Sequence, residues 1–131
     1  MRRLGLTALM SLEVWGAAVA APFTTFEKVV PRNTPTKING FYNANLKCVS
    51  DRVKIVIKRQ PLHGKVEIKY ANDYPNYPKV DSYYACNKVK VLITQVWYTP
   101  AADFVGKDAV SLFIAYSGGF KKDELIALNV D

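Results

Sequence analysis

The side chains able to carry out chemistry are few in this chain of 131 residues. Its single histidine is His63, so any imidazole-based catalysis has to use that residue. Because His63 precedes Gly64 in a predicted turn, a structural role is favoured. The serines lack the Gly-x-Ser-x-Gly context of a hydrolase nucleophile. A Ser-His-Asp triad is spatial and stays open at this stage, but we expect a protein without catalytic residues, enzyme activity or a cofactor.

The two cysteines, Cys48 and Cys86, predict one disulfide bond, because an even cysteine count in an exported chain, which the first twenty residues indicate, is most simply explained by pairing. On the chain-entropy account, a bridge that closes a loop of this length contributes roughly 4 kcal/mol. A zinc site is the alternative, but it needs two further ligands and His63 is the only histidine. Asp103, Asp108, Asp123 and Glu124 lack the Asp-rich loop that calcium sites use, and Asp108 is expected to accept hydrogen bonds from the backbone amides that follow Gly106. The sequence therefore predicts no metal site.

Two groups of side chains are candidates for binding. The first is a basic patch on the outer face of two predicted strands, formed by Lys54, Lys58, Lys65 and Lys69. It would attract an anionic polymer, and the attraction would weaken as salt is raised. The alternative is that these charges keep an exposed strand edge from pairing with another chain. The second is the Tyr-rich loop at residues 71–86, which contains four tyrosines: Tyr74, Tyr77, Tyr83 and Tyr84. Tyrosine suits protein or sugar recognition, and packing within the loop is the alternative.

The first twenty residues have the pattern of a secretory signal peptide. Arg2 and Arg3 precede a short apolar run, and the small residues Ala18 and Ala20 fit cleavage after Ala20. The run is too short for a bilayer core of about 30 Å, so we expect no transmembrane anchor. Two positive charges and one negative charge leave with the peptide, which lowers the formal net charge from +7 to +6. Export argues against nucleic acid as the partner of this basic chain.

Alternating apolar residues predict short strands without helices. Residues 53–58 and 65–70 alternate on either side of the turn at residues 61–64, which predicts a hairpin. The apolar residues from 89 to 98 change phase, and we attribute this change to a β-bulge near Thr94. Residues 21–45 are irregular and predict an extended arm with an edge strand near Thr36. An antiparallel β-sandwich over residues 46–131 follows, with an open barrel as the alternative.

The corner between two of the predicted strands carries a likeness to a known family. A Pro-x-His-Gly-x-Val turn at residues 61–66 precedes a Tyr-x-Pro-x-x-x-Phe-x-Gly-x-Asp corner at residues 98–108. This combination resembles the bacterial Ig-like and cadherin-like repeats of surface and adhesin proteins, over residues 53–130. The resemblance implies a single-domain, exported Ig-like β-sandwich with a cysteine pair and no established activity. Two features depart from it, because only one copy is present and the loop at residues 71–86 is longer.

These observations together predict an exported, periplasmic or secreted, non-catalytic binding or structural module of the bacterial cell envelope. Its expected partner is an envelope protein or an anionic envelope polymer. The alternative is an inhibitor or accessory subunit of an envelope enzyme that acts through the Tyr-rich loop. The sequence leaves the oligomeric state open.

Overall fold

The computed structural model describes residues 22–131, so the predicted signal peptide at residues 1–20 lies outside the described residues. This part of the chain folds into seven strands. They are β1 (Phe23–Val30), β2 (Thr36–Phe41), β3 (Lys54–Arg59), β4 (Gly64–Asp73), β5 (Val91–Pro100), β6 (Gly106–Ala115) and β7 (Lys121–Val130). A 3₁₀ helix, Tyr84–Lys88, lies in the loop between β4 and β5.

Two packed sheets confirm the predicted β-sandwich. One sheet has four strands in the order β1-β7-β6-β3, and the other has three in the order β2-β5-β4. Neighbouring strands are antiparallel except for β1, which runs parallel to β7. Alternate residues of the strands point between the sheets and form one apolar core, whose largest fully buried side chain is Tyr98. Burial of this apolar surface is the main force that holds the sheets together.

The predicted edge strand near Thr36 is confirmed as β2, whereas the preceding part of the predicted extended arm at residues 21–45 differs, because it supplies strand β1 to the sandwich. Val30 and Ile38 lie in the core. Alternation is weak in this segment since β1 is exposed along most of its length and β2 has a register shift between Lys37 and Asn39. The sandwich therefore begins at β1 and not at residue 46.

The predicted hairpin of β3 and β4 is wrong. Strand β3 pairs with β6, whereas β4 pairs with β5 in the other sheet. The turn at residues 60–63 is thus an arch that carries the chain from one sheet to the other. Ile55 and Val66 both face the same core from opposite sides. An arch and a hairpin have the same alternation and turn residues, so the local sequence does not distinguish them.

The predicted β-bulge in β5 is also wrong, because the register between β4 and β5 is continuous along all ten residues of β5. Val96 and Tyr98 face the core between the sheets. Val91 and Ile93 belong to a second, smaller cluster with Ala44. The change of phase in the sequence therefore marks a strand that is buried first on its outer face and then on its inner face.

Candidate functional site

Loops gather at the two ends of the sandwich, and the candidate residues divide between them. The corner end is formed by residues 31–35, 60–63 and 101–105. The loop end is formed by residues 42–53, 74–90 and 116–120. These names follow from the strand bounds and the pairing, which place the start of β5 and the end of β2 at the loop end.

Asp108 organises the corner end by accepting four hydrogen bonds. Its carboxylate accepts the backbone amides of Leu62 at 2.9 Å, His63 at 3.0 Å and its neighbour Ala109 at 2.9 Å. The buried Tyr98 hydroxyl donates to it as well, at 2.8 Å. Burial raises the pKa of the Tyr98 phenol, and the bond to Asp108 raises it further. Only the bond from Ala109 matches the expected capping of amides that follow Gly106. The Leu62 and His63 amides belong to the distant arch, which Asp108 joins to β5.

His63 and Gly64 are packed parts of the same corner. The His63 ring stacks on Phe104, with the ring centroids 4.3 Å apart. A Cβ atom on Gly64 would lie 2.5 Å from the Tyr98 ring and 2.7 Å from the carbonyl oxygen of Thr99, which is closer than real Cβ contacts come. The turn therefore requires glycine for a close approach, and the contacts of His63 are those of a structural residue.

The predicted disulfide between Cys48 and Cys86 is confirmed, and it joins the two long segments of the loop end. Cys86 lies in the 3₁₀ helix and is buried. Cys48 lies in the segment that follows β2, with a left-handed φ of 57°. The bond therefore holds the Tyr-rich loop against the connection between β2 and β3.

Two of the four candidate tyrosines pack inside the loop end. The Tyr77 hydroxyl accepts the amide of Ala44 at 3.1 Å. Its ring meets those of Tyr42 and Tyr83, with centroids 5.1 and 5.5 Å away. Asn87 fixes the backbone of Tyr77 by donating to its carbonyl at 2.9 Å and accepting its amide at 2.8 Å. Burial raises the pKa of the Tyr77 phenol, and these contacts show that Tyr77 is a packing residue.

The other two candidates, Tyr74 and Tyr84, present their side chains to solvent. They are 54% and 42% exposed, and Val80 between them is 98% exposed. The Lys90 ammonium lies 5.6 Å from the centre of the Tyr74 ring. The Tyr-rich loop thus combines an ordered base, built on Tyr77, with apolar and aromatic side chains on its surface.

A polar hollow of about 380 Å³ lies beside this loop. Its lining includes side chains that carry amide, carboxylate and hydroxyl groups from three separate segments. They are Asn43, Asn45, Asp51, Tyr83 and Ser117. Of these residues, only Tyr83 was a binding candidate from the sequence, because the others are ordinary loop residues with no local pattern. Their common feature is spatial, since strand pairing and the disulfide bring the three segments together.

The four candidate lysines do not form one patch. Lys54 and Lys58 project from the outer face of the four-stranded sheet, and Lys65 and Lys69 project from the outer face of the three-stranded sheet. Lys58 forms an ion pair of 3.1 Å with Asp123. The Lys69 ammonium lies 4.7 Å from the centre of the Trp97 ring. The predicted patch depended on the hairpin, so the arch divides it between two faces.

The buried carboxylate of Glu124, for which the sequence predicted no structural role, joins three strands. Glu124 on β7 is 4% exposed. It accepts hydrogen bonds from the Asn39 amide at 2.7 Å and the Thr24 hydroxyl at 3.1 Å. The Lys122 ammonium lies 3.5 Å away. Buried carboxylates need such partners, and the arrangement fixes β1 and β2 against β7.

Two further observations concern residues 22–131. Within that range, no group of three or more His, Cys, Asp or Glu side chains is placed to hold a metal ion. No helix in the described part of the chain is long and apolar enough to cross a membrane.

Comparison with known proteins gives little guidance. No protein-family model matches the chain, and no curated protein matches it. A solved structure that does match is the solution structure of Amebosin, at a TM-score of 0.43 and 8% identity, over 85% of this chain and 100% of that one. A likeness at this level supports no statement about function.

Proposed function

We propose that this chain is an exported, non-catalytic binding module of the bacterial cell envelope that binds its partner through the loop end. The observation that carries the proposal is the surface of that end. An ordered, disulfide-held base supports the exposed side chains of Tyr74, Val80 and Tyr84 beside a polar hollow. Exposed aromatic and apolar side chains next to polar groups are typical of recognition surfaces.

Export is supported by the disulfide bond, which forms and persists in oxidising compartments. The predicted signal peptide points in the same direction. A periplasmic or secreted location is therefore part of the proposal. Intact-mass measurement of the mature protein, before and after reduction, should find one disulfide and a chain that begins after Ala20. Two free thiols or an uncleaved N-terminus would contradict this part.

The Ig-like and cadherin-like resemblance is supported by the order of the strands. Strands β2-β5-β4 correspond to the B-E-D order of an immunoglobulin sandwich, and β7-β6-β3 correspond to G-F-C. Strand β1 then takes the place of the first strand, paired with the last. Loops at one end of such sandwiches often carry recognition. This correspondence favours the loop end as the binding surface.

An envelope protein suits this surface better than an anionic polymer does. The lysines that would attract an anionic polymer lie on two opposite faces, and Lys58 is already paired with Asp123. The loop end instead presents Tyr74, Tyr84 and a nearly fully exposed Val80. The exposed loop also favours a second candidate function, an inhibitor or accessory subunit that places Val80 against an envelope enzyme.

Affinity capture from an envelope extract tests the proposal. The wild-type protein is compared with a Tyr74→Ser, Tyr84→Ser double variant, and with Leu62→Ser as the control. Leu62 is 87% exposed at the corner end, so its replacement alters exposed apolar surface without touching the loop end.

We expect one protein partner to be captured by the wild type and by the control, and lost by the double variant. Capture should persist as salt is raised, because the contacts are not mainly ionic. Loss of the partner from both variants, or capture of a polyanion that salt releases, would contradict the proposed surface. Activity of a captured enzyme, measured with and without the chain, separates an inhibitor from a simple binding module.

A further inference from the structure

The four strands at the sheet edges differ in how they avoid further pairing. An unpaired edge is a template for another strand unless charges, short length or irregularity protect it. Strand β3 carries Lys54 and Lys58, and β4 carries Lys65 and Lys69. Strand β2 has only six residues and an irregular register. The fourth edge strand, β1, lacks these protections along most of its length.

Strand β1 is eight residues long and unusually exposed for a strand with apolar residues. Phe23 is 65% exposed, Phe26 is 40% exposed and Val29 is 59% exposed. Its charged residues, Glu27 and Lys28, are adjacent and of opposite sign. One edge of β1 is paired with β7, and the other edge has no strand beside it in the described chain.

Most of the inner face of β1, apart from Val30 in the core, is uncovered because the two sheets differ in width. Strand β2, the last strand of the three-stranded sheet, lies opposite β7, as shown by the bond from Asn39 to Glu124 and by the Lys122 ammonium 5.3 Å from the Phe41 ring. No strand of this sheet extends further, so β1 projects beyond it. Phe26 therefore faces inward from the four-stranded sheet without a layer above it.

We propose that β1 pairs antiparallel with β1 of a second copy of this chain, centred on Phe26. The sequence of β1 is self-complementary in this register. Its apolar residues meet each other, since Phe26 lies opposite Phe26 and Phe23 lies opposite Val29. Polar residues also meet, because Thr24 lies opposite Lys28 and Thr25 opposite Glu27. Cross-strand pairs share a face of the sheet, so each of these pairs is in contact.

Charge selects this register over its neighbours. A two-fold axis perpendicular to the sheet requires one residue to lie opposite its own copy. Centring on Glu27 sets two carboxylates against each other, and centring on Lys28 sets two ammonium groups against each other, which is unfavourable. Centring on Thr25 places Phe23 opposite Glu27 and shortens the paired segment. Only the register centred on Phe26 places apolar residues opposite apolar residues and polar residues opposite polar ones, without setting two like charges against each other.

The outer face of the sheet has a hollow next to the position that the Phe23 ring of the second copy would occupy. A hollow of about 500 Å³ lies beside Val29, with Lys107, Ala127 and Asn129 in its lining. In the proposed register, Phe23 of the second copy lies opposite Val29 and so beside this hollow. The result is a symmetric dimer with one continuous eight-stranded sheet, in which the same surface serves both copies.

Sedimentation equilibrium of the mature protein over a concentration series tests the dimer. Phe26→Lys places two like charges at the centre of the interface, and Val56→Lys is the matched control on β3, the other edge of the same sheet, where Val56 is 46% exposed. We expect the wild type to dimerise and Phe26→Lys to raise the dimer Kd at least about tenfold. The control should leave the Kd unchanged, and thermal unfolding should show that both variants fold.

A second pair of variants keeps the test independent of variant stability. Phe26→Cys places one thiol opposite its own copy, so mild oxidation should join two chains, whereas Val56→Cys should give no such dimer. A wild type that stays monomeric at all concentrations would overturn the proposal. Dimers that are lost with Val56→Lys, or joined through Val56→Cys, would overturn it as well, because they would use β3. These readouts do not involve the loop end, so they stand apart from the proposed binding surface.

Discussion

The two ends of this sandwich are closed in different ways. At the corner end, Asp108, Tyr98 and Gly64 are joined by short hydrogen bonds and close contacts, and His63 covers Phe104. At the loop end, a disulfide and a small apolar cluster hold long segments in place. Polar side chains in those segments line a hollow that opens to solvent.

This difference suggests that the corner end serves stability, whereas the surface of the loop end serves binding. The polar groups that distinguish the corner end are occupied by contacts within the chain, so substitutions there should alter stability and leave binding unaffected. The disulfide performs the stabilising role at the loop end, which leaves Tyr74 and Tyr84 free on the surface. Exposed loop residues on a rigid base are a common basis for recognition. Substitutions can test whether the ends divide in this way.

The largest effect is expected from removal of the disulfide. Replacing both Cys48 and Cys86 with alanine should lower the free energy of unfolding by about 4 kcal/mol, because the unfolded chain loses a long-range constraint. Urea denaturation measures this change. Amide exchange should show the greatest loss of protection at Tyr77 and its neighbours, whereas the Leu62 amide should change less. An equal loss at both ends would show that they unfold together and would weaken the comparison.

A smaller loss is expected when a side chain is added to the arch. Gly64→Ala should lower the free energy of unfolding by about 3 kcal/mol, because the new Cβ meets the Tyr98 ring in a packed site. Gly118→Ala is the matched control at the loop end, where an added Cβ atom would meet nothing within 4 Å. Its effect should stay within about 0.5 kcal/mol. Thermal denaturation of both variants measures the two losses of stability. Equal losses for Gly64→Ala and Gly118→Ala would contradict close packing at the corner end.

Local sequence patterns were sufficient for part of the structure. The disulfide followed from the even cysteine count, and the bond from the Ala109 amide to Asp108 followed from the expected capping of nearby amides. The β-sandwich followed from several alternating runs without helices. Each of these features depends on residues that are near in sequence or on a simple count, so one chain is enough to predict them.

Other features depend on pairing between distant segments. The arch at residues 60–63 has the turn residues of a hairpin, and only the partners of β3 and β4 reveal which it is. The outer face of β5 is buried mainly at its start, where Val91 and Ile93 pack with Ala44 beside Tyr42 and Tyr77. Its apolar pattern therefore changes face along the strand and gives no sign of a continuous register. Strand β1 shows weak alternation because only one of its edges and little of its inner face are covered. The hollow combines residues from three segments, which no local pattern joins.

The smallest effect concerns one hydroxyl at the corner end. Tyr98→Phe removes the bond of 2.8 Å to Asp108 and should lower the free energy of unfolding by about 1.5 kcal/mol at neutral pH. The pKa of Tyr98 is raised in the folded protein, so the unfolded chain loses its proton first as the pH rises above about 10. The wild type should therefore become less stable above that pH, and the variant should lose less.

Tyr77→Phe is the corresponding change at the loop end, where burial also raises the pKa of the phenol. The bond that it removes, from the Ala44 amide, is longer at 3.1 Å. Urea denaturation of the three proteins at neutral pH and above about pH 10 compares the two ends directly. If the Tyr98–Asp108 contact is more constrained than the Tyr77–Ala44 contact, Tyr98→Phe should reduce the fall in the free energy of unfolding at high pH more than Tyr77→Phe does. A larger reduction with Tyr77→Phe would show that the folded protein retains the phenol proton more strongly at Tyr77, in the loop end, than at Tyr98.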